Sequence, residues 1–234
     1  GNITESGTEA LTVTGTSTFT TSASDADITL ATTTNAFTGA VSLNTTGSGG
    51  NAEVIDASAL NLGASTVGGT LSARAVTGDI SNSGNLAITG AATFRTDAAE
   101  SNIALDSSGN VFSSAVTLQA DDGSEAFGNI TFVDSAAVDF DSSASANGDL
   151  YINASTDGAV GGNLSVTATT GNITQNVALA VTGTSTFITG AAGSNIILDH
   201  ADNAFSSWVK MKADTSGDET FGNITFVDSG AVVI

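Results

Sequence analysis

A phrase opening with Gly1-Asn2-Ile3-Thr4 returns as Gly78-Asp79-Ile80-Ser81 and again as Gly171-Asn172-Ile173-Thr174. Repetition on this scale constrains architecture more than local propensity does, because each unit must bury the same positions in the same way. The 234 residues divide into units 1–77, 78–170 and 171–234, the last cut short, and read as one continuous domain. The first strand-like segments are LTVTGTSTFTT (11–21), LAITGAATFRT (86–96) and LAVTGTSTFIT (179–189). DITLATTTNAFTGAVSLN (27–44) matches NIALDSSGNVFSSAVTLQ (102–119) and NIILDHADNAFSSWVKMK (195–212). FGNITFVDS stands at 127–135 and 221–229, with the looser GNAEVIDAS at 50–58.

Differences between the copies show which side chains point inward. Ala40-Val41-Ser42-Leu43-Asn44 becomes Ala115-Val116-Thr117-Leu118-Gln119 and then Trp208-Val209-Lys210-Met211-Lys212. The second and fourth positions stay apolar while the others range from Ala to Trp and from Ser to Lys. That alternation predicts half-buried strands, and a one-residue slip would put two lysines in the core. Short apolar runs recur between Gly, Asn, Asp and Ser, and no long segment has a helical period.

The units start 77 and 93 residues apart, and the surplus 16 residues fall around GDLYINASTDGAVGGN (148–163). A stacked architecture accommodates one added layer, because each layer touches only its neighbours. The expected fold is therefore all-β: a parallel β-helix, or β-solenoid, of about nine or ten coils and roughly 45 Å. Phe19, Phe94 and Phe187 repeat one core slot, and Phe37, Phe112 and Phe205 another. An array of antiparallel sandwiches is the alternative, and the one-strand insertion disfavours it.

The chain carries 24 acidic and 4 basic residues, a net charge of −20. It has no means of displacing the counterions of a nucleic acid, and an anionic membrane would repel it. With no cysteine it has no disulfide or thiolate metal site, and no apolar run is long enough to insert in a membrane as a helix. Neither end carries the polar cap usual for a solenoid. Ile3 at one end and Val232, Val233 and Ile234 at the other are thus expected to meet further repeats of the chain, or a copy of it, head to tail.

Phrases such as GNIT, LTVTGTSTF and NITFVDS make the whole chain resemble the repeat regions of long bacterial surface proteins, namely filamentous-haemagglutinin-like and autotransporter-type adhesins. The resemblance implies a right-handed parallel β-helix, export to the cell surface or beyond it, and a role as stalk, adhesin or filament. It implies no catalytic residue.

The candidate sites are few. His200, the one histidine, has no counterpart in the other units and reads as a surface residue. Polysaccharide lyases build carboxylates and basic residues on β-helices, but here basic residues are scarce, and no hydrolase triad or nucleophile elbow is present. No enzyme is expected, and no cofactor other than calcium. Acidic turns offer weak calcium ligands: Asp121, Asp122, Asp139, Asp141, Asp218 and Glu219, with Asp149 following Asp139 and Asp141 in the same loop region. Thr12, Thr14, Thr16, Thr18 and Thr20 alternate on one face as in ice-binding solenoids, although the second unit weakens the row with Ala87 and Ala91. Trp208 and Tyr151 are candidate contacts for a glycan or a host surface. Taken together, these features point to an extracellular structural rod, part of a filament or adhesin stalk, with a glycan-binding module as the alternative.

Overall fold

The computed structural model describes residues 1–120, 128–141, 149–152, 159–217 and 220–231. It is a β-solenoid of about 8 turns, with every strand pair parallel and no helix among the described residues. At ~4.8 Å per turn the stack is ~40 Å long. The count falls below the nine or ten coils expected from the sequence.

Register pairs trace three faces. The first runs from Ile3–Thr4 through Ile28–Leu30, Ala52–Asp56, Leu71–Ala75, Ala92–Thr96 and Val116–Ala120 to Asp149–Ile152. The second carries Leu60–Leu62, Ile80–Asn82, Ile103–Leu105, Ile130–Asp134, Leu164–Ala168, Ser185–Thr189 and Val209–Lys212. The third begins with Ser17–Ser24, Val41–Thr46, Ser65–Val67, Leu86–Ile88 and Val111–Phe112. It continues with Val138–Phe140, Ile173–Gln175, Ile196–Leu198 and Ile224–Phe226, joined to the earlier stretch where Ser135 N–H donates to the Asn110 carbonyl at 2.9 Å.

Equivalent phrases do not stack on one another. Ser17–Ser24 lies on the third face, its counterpart Ala92–Thr96 on the first, and Ser185–Thr189 on the second. The DITL phrase moves in the same sense, from Ile28–Leu30 on the first face to Ile103–Leu105 on the second and Ile196–Leu198 on the third. The cause is arithmetic. Ten strands precede Ile80, so a three-sided coil ends the first unit one face further round than it began. The second unit has eleven strands, but Asp149–Ile152 is an extra one that takes no face of its own, and the advance is the same.

The 16-residue insertion is not a whole added layer. It contributes Asp149–Ile152, which pairs with Val116–Leu118 on one side and with Asp139–Phe140 on the other. At the same level Ile130–Asp134 pairs directly with Leu164–Ala168, and Val138–Phe140 with Ile173–Gln175. The extra strand thus thickens one face only, joining the first and third faces at their shared corner.

The core is one continuous column of inward side chains. Val54, Ala73, Phe94, Leu118 and Ile152 form one rank of it, all at most 1% exposed. The two phenylalanine slots read from the repeat pack edge to face in every unit: Phe19 with Phe37 at 6.2 Å, Phe94 with Phe112 at 6.0 Å, and Phe187 with Phe205 at 6.1 Å. Glycine serves the tightest corners. Gly183 N–H donates to the Gly162 carbonyl at 3.1 Å, and a Cβ on Gly183 would overlap that oxygen.

Candidate functional site

Polar residues inside the coil do what a dry core requires, which is to satisfy the backbone wherever the ladders turn. Asn35, Asn110 and Asn203 stand just before the second phenylalanine slot in their units and are fully buried. Each side-chain oxygen accepts from the backbone of the previous coil: Leu11 N–H at 2.9 Å, Leu86 N–H at 3.0 Å and Leu179 N–H at 2.9 Å. Each amide in turn donates to a carbonyl of its own coil, that of Leu30, Leu105 or Leu198.

The aspartate of the FGNITFVDS phrase also points inward. Asp134 follows Ile130 and Phe132 at period two and is 2% exposed. It accepts from the N–H groups of Phe112 and Ala136, as Asp56 accepts from those of Phe37 and Ser58. Burial raises the Asp134 pKa above the ordinary value despite these bonds. These asparagines and aspartates were legible as invariant positions of the repeat, but the apolar pattern hid them.

Outside the core, asparagine and aspartate rows mark the strand starts. Asn129 N–H donates to Asn102 Oδ1, Asn163 N–H to Asn129 Oδ1, and Thr184 N–H to Asn163 Oδ1, all at 2.7–2.8 Å. The GN dipeptide that opens so many phrases is therefore a hydrogen-bonding device.

The clearest chemical cluster is acidic. Asp139 and Asp141 meet Asp149 of the inserted strand, with ligand oxygens within 4.8 Å of one another. The Thr174 hydroxyl donates to Asp139 Oδ1 at 2.8 Å, and the Asn176 amide donates to Asp139 Oδ2 at 3.0 Å and Asp141 Oδ2 at 3.2 Å. Burial, followed by the charges of Asp141 and Asp149, raises the Asp139 pKa. Three carboxylates this close favour either a shared proton or a cation. Asp121, Asp122, Asp218 and Glu219 lie outside the described residues, as do Val232, Val233 and Ile234.

The other candidates are scattered. Ile3 is half-buried in the first strand, against Ile28. Trp208 is 64% exposed beside Val209, Met211 and Ile224 at the C-terminal end of the stack. Tyr151 lies far from it, on the inserted strand opposite Thr117. His200 occupies a turn, where its Nδ1 accepts from Asp202 N–H at 3.2 Å. The threonine row does not recur above itself: Thr18 pairs with Ser42, whereas its counterpart Thr93 is on another face between Ser72 and Thr117. The rotation of the repeat thus breaks up any single flat threonine face.

No curated protein matches the chain, and no solved structure matches it. A family model described as repeats of unknown function (DUF5649) matches residues 1–44, 49–119 and 153–212. The acidic cluster falls outside those stretches, and one of its three carboxylates, Asp149, lies in the insertion. The matched stretches make up most of the sequence and carry all three copies of the phrase, so the chain belongs to this repeat family.

Proposed function

We propose that the chain is a segment of a stiff extracellular rod, a structural element of a surface filament or of an adhesin stalk. The observation that carries this reading is the single uninterrupted core cluster running along the stacked coils. Such a core, with backbone pairing along the axis, resists bending and stretching at every turn. The acidic surface adds lateral repulsion between neighbouring rods. The resemblance to filamentous-haemagglutinin-like and autotransporter-type repeats supports the same assignment, and with it export.

Among the described residues the terminal strands use one edge only at both ends. Ile3–Thr4 pairs with Ile28–Leu30, and Ile224–Phe226 with Ile196–Leu198. In this proposal the free edges, with Ile3 at one end and Ile224–Phe226 at the other, continue the ladder into further repeats or into a second copy. Electron microscopy of the protein from its natural source tests the reading. Long uniform fibres or stalks with a ~4.8 Å axial reflection support it. Compact particles with no axial repeat overturn it.

The exposure of Trp208 favours a second reading, a glycan- or surface-binding module. A glycan array comparing the wild type with Trp208→Ala separates the two, because a rod segment gives no tryptophan-dependent signal.

A further inference from the structure

Two of the four cationic side chains converge. Arg74 and Arg95 occupy directly paired positions on adjacent strands of the first face, an arrangement that by itself is repulsive. Asp97 bridges them: Arg74 Nε donates to its Oδ2 at 2.7 Å, and Arg95 Nε lies 2.8 Å from its Oδ1. One carboxylate between two guanidinium groups leaves one guanidinium charge unmatched within the trio, on a chain of net charge −20.

All three residues are departures from the repeat. Thr20 and Ile188 stand where this unit has Arg95, Thr167 stands in the place of Arg74, and Ser22 and Gly190 in that of Asp97. Arg74 closes the first unit while Arg95 belongs to the second, so only the stacking brings them together. The side chains are 34% and 47% exposed. Arg95 meets Asp97 through Nε and its side chain is 47% exposed, so part of its planar fork of donors faces solvent.

The groups around this fork are polar. Gln119 is the next residue in the Arg95 rank, and Glu53, Ser72, Thr93, Thr117 and Tyr151 form the adjacent outward rank, with the Glu53 carboxylate at its far end from Arg95. Ile55, which continues the Arg74 rank on the other side, is buried. On the Arg95 side the described residues thus offer hydroxyls, an amide and one aromatic ring around a carboxylate-binding fork, with Glu53 on the far side of Ser72.

We propose that Arg95, supported by Arg74 and oriented by Asp97, binds the carboxylate of an acidic sugar, with Gln119, Thr117 and Thr93 meeting its hydroxyls. The surrounding negative field selects a sugar with isolated carboxylates over a dense polyanion. The site does not depend on whether the rod is a stalk or a filament.

The test is titration of the whole chain, observed through the arginine Nε–H resonances, at low and at physiological salt. The probes are a uronic-acid disaccharide, a sialylated trisaccharide, their neutral parents and a glutamate-rich peptide. The comparison variants are Arg95→Thr and Arg74→Thr, which install the residues that the repeat itself carries there, and Arg95→Lys. The proposal expects saturable binding of at least one acidic sugar and none of its neutral parent. It also expects an affinity loss of about five-fold or more in Arg95→Thr, a partial loss in Arg95→Lys, and weakening with salt. Which acidic sugar binds identifies the source of the carboxylate. Absence of saturable binding, or unchanged affinity in folded Arg95→Thr, overturns the site. Binding of the peptide as tightly as the sugars overturns the sugar assignment.

Discussion

Phe94 and Phe112 meet edge to face with ring centroids 6.0 Å apart, the same contact that Phe19 makes with Phe37 and Phe187 with Phe205. Phe112 also stacks on Phe132 at 5.3 Å, where the first unit has Val54. The edge-to-face pair is thus common to every unit, whereas the stacked ring is not. Phe94→Ala should cost about 3–5 kcal/mol, and Phe132→Val clearly less. Thermal melts of the two variants check the order.

Removing a buried asparagine should be as damaging as removing a ring. In Asn110→Ala the Leu86 N–H and the Leu105 carbonyl both lose their partner inside a dry core. At about 1–3 kcal/mol for each unsatisfied group, the expected loss is several kcal/mol. Hydrogen exchange at the Leu86 amide should accelerate more than at amides two coils away, and uniform acceleration would place the effect elsewhere.

Stability should rise on mild acidification. Asp134 and Asp139 have folded-state pKa values raised by burial, so near those values the folded chain binds more protons than the unfolded chain. Stability therefore increases as pH falls through the folded values toward the ordinary 3.8 and decreases as pH rises through the same window. Relief of the net negative charge acts in the same direction. The melting temperature of Asp134→Asn should depend less on pH over this window than that of the wild type.

The Asp139, Asp141 and Asp149 corner supplies the test for calcium. If it holds the ion, millimolar calcium raises the wild-type melting temperature by mass action and leaves Asp139→Asn unchanged. Equal shifts in both proteins would assign the effect to general screening of the acidic surface.

The rotation of the repeat can be tested covalently, because the chain has no native cysteine. Ser72 and Thr93 are register partners on adjacent strands. The Ser72→Cys, Thr93→Cys double variant should form an intramolecular disulfide under mild oxidation. Thr18→Cys with Thr93→Cys joins equivalent repeat positions on different faces and should not.

Much of this architecture could be read before any coordinates. The substitutions among Val41, Val116 and Val209 and their neighbours set the inward positions, and the two phenylalanine slots emerged from the copies alone. The partnership of those slots did not emerge, because alignment places residues in equivalent positions without showing which positions touch. The same limit hid the inward Asp134 and the buried Asn110, which look polar and therefore external until the ladder surrounds them. Of the acidic turns, Asp139, Asp141 and Asp149 were evident as oxygen ligands of one loop region, but only the pairing of the inserted strand beside Val138–Phe140 decided that their oxygens converge.

Strand type, inward side and repeat boundaries are local properties, and period-two alternation with turn residues is enough to specify them. Lateral neighbours are a different matter. Which strand lies above which depends on how many strands complete a unit, a sum over ten elements in the first unit rather than a feature of any one. That sum turns each copy to the next face, scatters the threonine row and stacks Arg95 upon Arg74. No residue in either arginine-bearing segment encodes this proximity, which arises only when the coil closes.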